Sequence, residues 1–304
     1  MYMRMNKDEL TMNFQQIQNS YGALVTREIV SAWSGQKVSR IVLKPKQVKK
    51  FSELTHNLGL EVTDGVEKIF SKRDVGKGGW SNKFDDKPSK LKVPDKMLYV
   101  GLSKSQCEKA KQSEENNDEG SLGKKLGIPD CCVNFYLNNQ EEAYKNQNDY
   151  VPLVLKNSAN NYPFNFWNNY VAQYFGYSLL SFFPCSFNCS NAANFSENTY
   201  DLLKSIIPNM ADKTLHFHKQ PILYTEYRGI FLFENAKYNS ENKELDIGKG
   251  VRLHSTLSKS SKTLKKVEHS KIIRVLGKNN VELLNSQNDI IQLKSDKVCM
   301  CLFN

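Results

Sequence analysis

Four of the chain's seven cysteines stand in two short motifs. Cys131 and Cys132 adjoin in Leu122-Gly123-Lys124-Lys125-Leu126-Gly127-Ile128-Pro129-Asp130-Cys131-Cys132-Val133-Asn134-Phe135-Tyr136, and Cys185 and Cys189 lie in Phe182-Phe183-Pro184-Cys185-Ser186-Phe187-Asn188-Cys189-Ser190. Thiolates are soft ligands and good nucleophiles, so such a set can hold zinc, carry an iron–sulfur cluster or attack an electrophile. An odd cysteine count with two tight pairs makes a poor disulfide framework, and the N-terminal MYMRMNKDELTMNFQQ lacks the apolar run of a secretory leader. The expectation is a cytoplasmic protein with reduced thiols.

In the first motif Gly127 can end one helix and Pro129 can open the next, which places Cys131 and Cys132 in an opening turn. Unpaired N–H groups and the positive dipole end there favour a thiolate. Cys132 is the candidate catalytic nucleophile, with Cys185 and Cys189 resolving or ligating. Neighbours on a helix point about 100° apart, so a single centre takes both cysteines easily only if the helix begins between them. The second motif is a C-x-x-x-C at a loop-to-helix junction, where two sulfurs can face a common centre, with Thr199–Ile207 beyond it patterned as a helix. Its spacing matches neither the paired C-x-x-C knuckles of zinc ribbons nor a standard finger. The cofactor expected on Cys131, Cys132, Cys185 and Cys189 is zinc or an iron–sulfur cluster; a redox dithiol and inert buried side chains are the competing readings.

The phrases LGKKLGIPDCCVNFY and FPCSFNC, with NNYPFNFWNNY between them and MLYVGLSKSQCEKAKQ upstream, resemble a poorly characterised family of prokaryotic domains of unknown function that carries LG-x-x-LG-x-P-x-CC and PCS-x-x-C motifs. The resemblance covers Met97–Leu203 and implies that the two motifs form one module. It brings no activity with it.

Other residues are weaker candidates. His216 and His218 form an H-x-H in TLHFHKQP, which reads as a strand with both rings on one face; they could complete the cysteine site or, with Asp212, Glu226 or Tyr227, form their own. The solvent face of a strand explains them equally well. Asn161, Asn165, Asn168 and Asn169 could line a polar cofactor or small-molecule pocket, since an amide both donates and accepts; codon bias accounts for most of them, and the resemblance alone singles out Asn165. Cys299 and Cys301 near the end fit a loose prenylation pattern, but no dense basic run precedes them and Val298–Phe303 reads better as a strand. Cys107 sits in a polar helix pattern. The glycine-rich Gly76-Lys77-Gly78-Gly79-Trp80-Ser81 fails as a phosphate loop, because Ser71 stands six before Lys77 and Gly78 follows it.

The elements that must position these residues imply a mixed α+β protein in three stretches. Residues 1–112 read as a small α/β unit. They hold a helical pattern over Asn13–Ser34, strands at Val38–Leu43 and Met97–Leu102, a helix at Lys46–Leu58, and Leu60–Phe70 as strand followed by turn or short helix. A long loop, Ser71–Asp95, separates the last two strands, and Ser113–Gly120 reads as a linker. Residues 113–208 form an aromatic-rich helical module with all four key cysteines, and 209–304 are mainly β. At 304 residues, 39% apolar and 24% charged, the chain is long and apolar enough to bury a core without staples. No window is apolar enough to span a membrane. The net charge of +10 admits a nucleic-acid partner, though lysine dominates over arginine as in an AT-rich genome. Three functions follow. The favoured one is a metal- or thiol-dependent enzyme acting on a small molecule or protein by redox, sulfur-transfer or metal-dependent chemistry. The second is a basic nucleic-acid-binding module stiffened by a structural zinc tetrathiolate, and the third an interaction protein with inert cysteines.

Overall fold

The computed structural model describes residues 6–70, 84–85, 95–146, 148–158, 163–225, 229–248, 250–254, 266–267, 269–285, 289–295 and 298–304. The glycine-rich Gly76–Ser81 segment, Asn161, Glu226 and Tyr227 lie outside the described residues.

Helix α1 (Lys7–Trp33) starts where the Asn6 side chain accepts the Glu9 N–H, and it breaks at Gly22, whose φ of +84° only glycine takes without strain. It is followed by β1 (Ser39–Leu43), α2 (Pro45–Asn57), β2 (Glu61–Phe70), β3 (Phe84–Asp85) and β4 (Asp95–Gly101), then α3 (Lys104–Glu115). The strands pair antiparallel in the order β1-β4-β2-β3. Alternation in β4 feeds two cores: Leu98 and Val100 meet Phe14, Ile29 and Phe51, whereas Tyr99 meets Cys107 and Ala110 of α3 on the opposite face. Within Leu60–Phe70, where a strand followed by a turn or short helix is expected, Glu61–Phe70 is strand to its end.

The helical stretch comprises α4 (Glu119–Lys125), α5 (Asp130–Asn138), α6 (Gln140–Lys145), α7 (Val151–Asn157), 3-10 turns at Phe166–Asn168 and Tyr170–Phe175, α8 (Ser190–Ile206) and α9 (Pro208–His218). The linker expected at Ser113–Gly120 is instead a tight reversal. Asn117 adopts a positive φ and the Asp118 carboxylate caps α4 by accepting the Ser121 N–H. The strand expected at Thr214–His218 is the last turn of α9. Burial of Met210, Ala211, Thr214, Phe217 and His218 follows the helical period, which a five-residue window is too short to reveal.

The remaining strands are β5 (Ile222–Thr225), β6 (Gly229–Glu234), β7 (Lys237–Asn239), β8 (Glu244–Asp246), β9 (Gly250–His254), β10 (Ser270–Gly277), β11 (Asn280–Asn285), β12 (Ile290–Lys294) and β13 (Val298–Cys301). They form two antiparallel sheets, β12-β11-β10-β8-β7 and β13-β5-β6-β9. Phe231, Phe233 and Met300 of the second pack against Ile273, Val275 and Leu283 of the first. The second sheet's other face, with Tyr224, Leu232, Cys299 and Cys301, packs on α7 and Phe187. This sheet is therefore covered on both sides, and Cys299 and Cys301 are core residues. Phe164 and Phe166 hydrogen-bond to Leu302 and Asn304, tying the final residues to the helical stretch.

The cores cross the boundaries expected at 112 and 208. Leu203, Ile206 and Met210 of α8 and α9 complete the core of Phe14, Ile17 and Ile29. A buried charge cluster reinforces this junction. Glu28 lies 2.5 Å from Arg27 and 2.6 Å from Lys37. Arg27 donates to the carbonyls of Ser178 and Leu180, and the Lys37 ammonium donates to Ser181 Oγ at 2.9 Å. Burial opposes the Glu28 charge, yet Lys37 and Arg27 outweigh it and hold the carboxyl at about 2. Glu28→Gln would leave two buried cations sharing no anion, so we expect a loss of about 3–5 kcal/mol, read as a lower urea midpoint with unchanged m. An unmoved midpoint would show that the cluster does not clamp the fold.

Candidate metal centre

The short helices α4 and α5 set the first pair of cysteines. After α4 the chain turns on Gly127, whose φ is +70°, and the Ile128 N–H bonds back to the Gly123 carbonyl. Both motif glycines are also required by space. A Cβ on Gly123 would meet Val133 Cγ2 at 2.9 Å, and one on Gly127 would meet Lys37 Cβ at 2.9 Å. Pro129 then caps α5, so Asp130, Cys131 and Cys132 occupy its first turn.

Adjacent Cys131 and Cys132 do share one cluster, although α5 begins before both of them, with the sulfurs 3.8 Å apart. Helical side chains lean toward the N-terminus, and in the first turn they overhang the helix end, where two neighbours can converge on one point beyond it. Cys189 caps α8: its sulfur accepts the Ala192 N–H at 3.4 Å and lies 3.7 Å from the Cys131 sulfur and 3.9 Å from that of Cys132. Cys185 joins from the loop, and the four ligand atoms all lie within 4.8 Å of one another. Two helix N-termini, those of α5 and α8, thus converge on four sulfurs, and both place partial positive charge where anionic thiolates would gather.

The loop that presents Cys185 and Cys189 is pinned through its backbone. Asn157 donates to the Cys185 carbonyl at 2.7 Å, Ser158 Oγ accepts the Phe187 N–H at 2.7 Å, and the Asn168 amide donates to the carbonyls of both Phe187 and Cys189. The Cys185 N–H donates to the Cys132 sulfur at 3.3 Å and so links the motifs directly. Stacked rings brace the same seam: Tyr150 stacks between Tyr136 and Phe183, and Phe183 packs on Tyr170.

The thiols share protons unequally. Contacts from Cys132 and Cys185 and the Ala192 N–H lower the pKa of Cys189, making it the favoured thiolate. Cys132 is raised by the same contacts with Cys185 and Cys189 and by burial; it is 1% exposed, so without a metal it is a protonated, enclosed thiol. Contact with Cys132 draws the Cys185 thiol down, while contact with Cys189 and burial carry it up to about 12. Four anionic sulfurs at these separations repel one another, and a cation among them removes that penalty. The residues present therefore suit a bound metal ion.

The histidines stand apart from this cluster. They lie on α9, not on a strand, so they do not share a face as expected. His216 is exposed beside Glu234, and His218 is fully buried. The His218 Nε2 accepts the Leu179 N–H at 2.9 Å, and Nδ1–H donates to the Phe166 carbonyl at 3.0 Å, which leaves neither nitrogen for a metal. Among the described residues, the cysteine quartet is the one group with metal-binding geometry. Asn165 caps the first 3-10 turn by accepting the Trp167 N–H, and its own N–H is held by Asn188; Asn168 is the amide that reaches the cysteine loop. The bracing roles of Asn157, Ser158 and Asn168 escaped sequence reasoning, since an amide under a loop and one favoured by codon bias look alike in sequence. Cys107 is buried in α3 and, mainly through desolvation, pushed up to about 11. Of the described rings in the helical stretch, Tyr150, Phe164, Tyr170, Phe182 and Phe187 are buried and most others are half-buried; the large apolar side chains exposed among the described residues are Met12, Tyr144, Tyr238, Leu276 and Ile290. Among the described residues, no helix is long and apolar enough to cross a membrane.

Burial lowers the His218 pKa from 6.5 to about 4, while the unfolded chain binds its proton near 6.5. Its contribution is therefore complete above pH 6.5 and falls as pH drops toward 4. We expect metal-free protein to lose about 3 kcal/mol over that interval by urea denaturation, and His218→Gln to flatten the slope. An equally steep slope in the variant would assign the acid sensitivity elsewhere. No protein-family model, curated protein or solved structure matches the chain.

Proposed function

We propose that this chain is a cytoplasmic zinc–thiolate protein in which Cys131, Cys132, Cys185 and Cys189 bind a single ion tetrahedrally. The observation that carries this reading is the sulfur spacing of 3.7–3.9 Å among Cys131, Cys132 and Cys189. A tetrahedral ion with ligands at about 2.3 Å requires sulfurs about 3.8 Å apart. An iron–sulfur cluster sets several irons and sulfides between its cysteines and holds them farther apart, so the geometry favours one ion over a cluster. All-thiolate ligation favours zinc, and the resemblance of both motifs to one family module supports their acting together. The ion would join the loop before α8 to the start of α5, across the seam that the Tyr136–Tyr150–Phe183 stack also bridges.

Within this reading the centre is first a staple, and thiol chemistry is its second capacity. The nucleic-acid reading rests on the +10 charge, and the sulfur geometry that carries the zinc centre gives it no further support.

Elemental analysis of anaerobically purified protein should find about one zinc per chain, with a colourless spectrum, and Cys189→Ser should lose it. Iron with sulfide, a brown colour, or metal content unchanged in the variant would overturn the reading. Because the metal-free Cys132 and Cys185 thiols hold their protons, zinc must expel both. Apparent affinity should therefore rise by at least about a hundredfold per pH unit between pH 6 and 8, measured by chelator competition.

A further inference from the structure

Among the described residues, three of the four sulfurs have an N–H donor and one has none. Cys131 Sγ receives the Asn191 side-chain amide at 3.5 Å, Cys132 Sγ the Cys185 N–H at 3.3 Å, and Cys189 Sγ the Ala192 N–H at 3.4 Å. No N–H of a described residue reaches Cys185 Sγ. Of the four, Cys132 and Cys189 are buried, whereas Cys131 and Cys185 are partly open to solvent. Among the described residues, Cys185 alone combines a partly open sulfur with no N–H donor.

Donated N–H groups draw charge from a metal-bound thiolate and lower its nucleophilicity, and a buried sulfur cannot meet a reagent. An ion of charge +2 with four thiolates leaves the site with two surplus negative charges, concentrated on the sulfur with no donor to share them. We infer that Cys185 is a metal-activated nucleophile that accepts an alkyl group from a soft, uncharged carbon electrophile. This rests on the tetrathiolate reading above and deepens it.

In the step, a lone pair on Cys185 Sγ forms the sulfur–carbon bond while the bond from that carbon to its leaving group breaks. The leaving group departs as an anion with the bonding pair. No proton moves, because the thiolate is already deprotonated, and the sulfur ends as a thioether. The surplus negative charge disfavours anionic electrophiles, and the apolar wall of Tyr170, Phe182, Phe183 and Phe195 around the cluster suits a hydrocarbon group.

The test uses the zinc-loaded full chain with substoichiometric iodoacetamide, followed by peptide mass mapping. The label should fall on Cys185 at least about tenfold ahead of Cys131, and the rate should stay flat from pH 6.5 to 8.5, as for a thiolate whose charge the metal fixes. Asn191→Ala, which strips the donor from Cys131, should raise the Cys131 share and leave Cys185 labelled. With zinc bound, label on Cys131 first, or evenly on both, would overturn the assignment while leaving the metal centre standing. Protein that carries no metal as isolated, and whose alkylation rate climbs about tenfold per pH unit, would overturn the metal centre and this proposal together.

Discussion

Four sulfurs within 4.8 Å of one another repel as soon as more than one of them ionises, and much of the helical stretch is arranged to hold them together regardless. The N-terminus of α5 points at them from one side and that of α8 from another, so the backbone supplies partial positive charge before any ion arrives. The loop between Cys185 and Cys189 has little regular structure, and Asn157, Ser158 and Asn168 take up its free carbonyls and N–H. Each contact is modest alone. Together they restrict the loop to one shape, so a bound ion would meet a site largely built in advance.

That site is anchored to the rest of the protein through Lys37 and Arg27. Lys37 packs against Gly127, four residues before Cys131, and donates to Ser181, four residues before Cys185, so one side chain touches both approaches to the cluster. Arg27 holds the carbonyls of Ser178 and Leu180 on the same approach. The single anion Glu28 serves both cations, and burial lowers the pKa of Lys37 against the pull of Glu28. Hydrophobic residues of similar volume could fill this space, but they would not fix the position of two chain segments through directed bonds.

The cysteine cluster was legible in sequence because turn chemistry surrounds it. Gly127, Pro129 and Pro184 punctuate the chain strongly enough to place Cys131 and Cys132 in an opening turn and the C-x-x-x-C at a loop-to-helix junction; the structure has both, with the helix beginning at Ser190 rather than Thr199. The strands and helices of the first stretch were legible from apolar spacing, as was the β character of the last, but the antiparallel pairing of the first sheet was not. Three other things were not. The turn of α9 around His216 and His218 mimics strand alternation over five residues, and only its continuation back to Pro208 shows the longer period. Lys37 is one lysine among many, and nothing local marks the one that is buried. The sharing of cores between stretches is a tertiary property, since Leu203 and Ile206 carry no sign that their partners are Phe14 and Ile17.

That last arrangement bears on how the chain is made. Phe14, Ile17 and Ile29 are fully buried only when α8 lies over them, so the first sheet cannot close its core while the ribosome is still making the residues before Ile206. Contacts that join the first helix to residues nearly two hundred positions later are costly to form and slow to nucleate. During synthesis the N-terminal helix would wait with its apolar face open, and a chaperone or the next stretch of chain would have to shield it. The long-range core that ties the first helix to α8 and α9 therefore makes its closure a late event in synthesis.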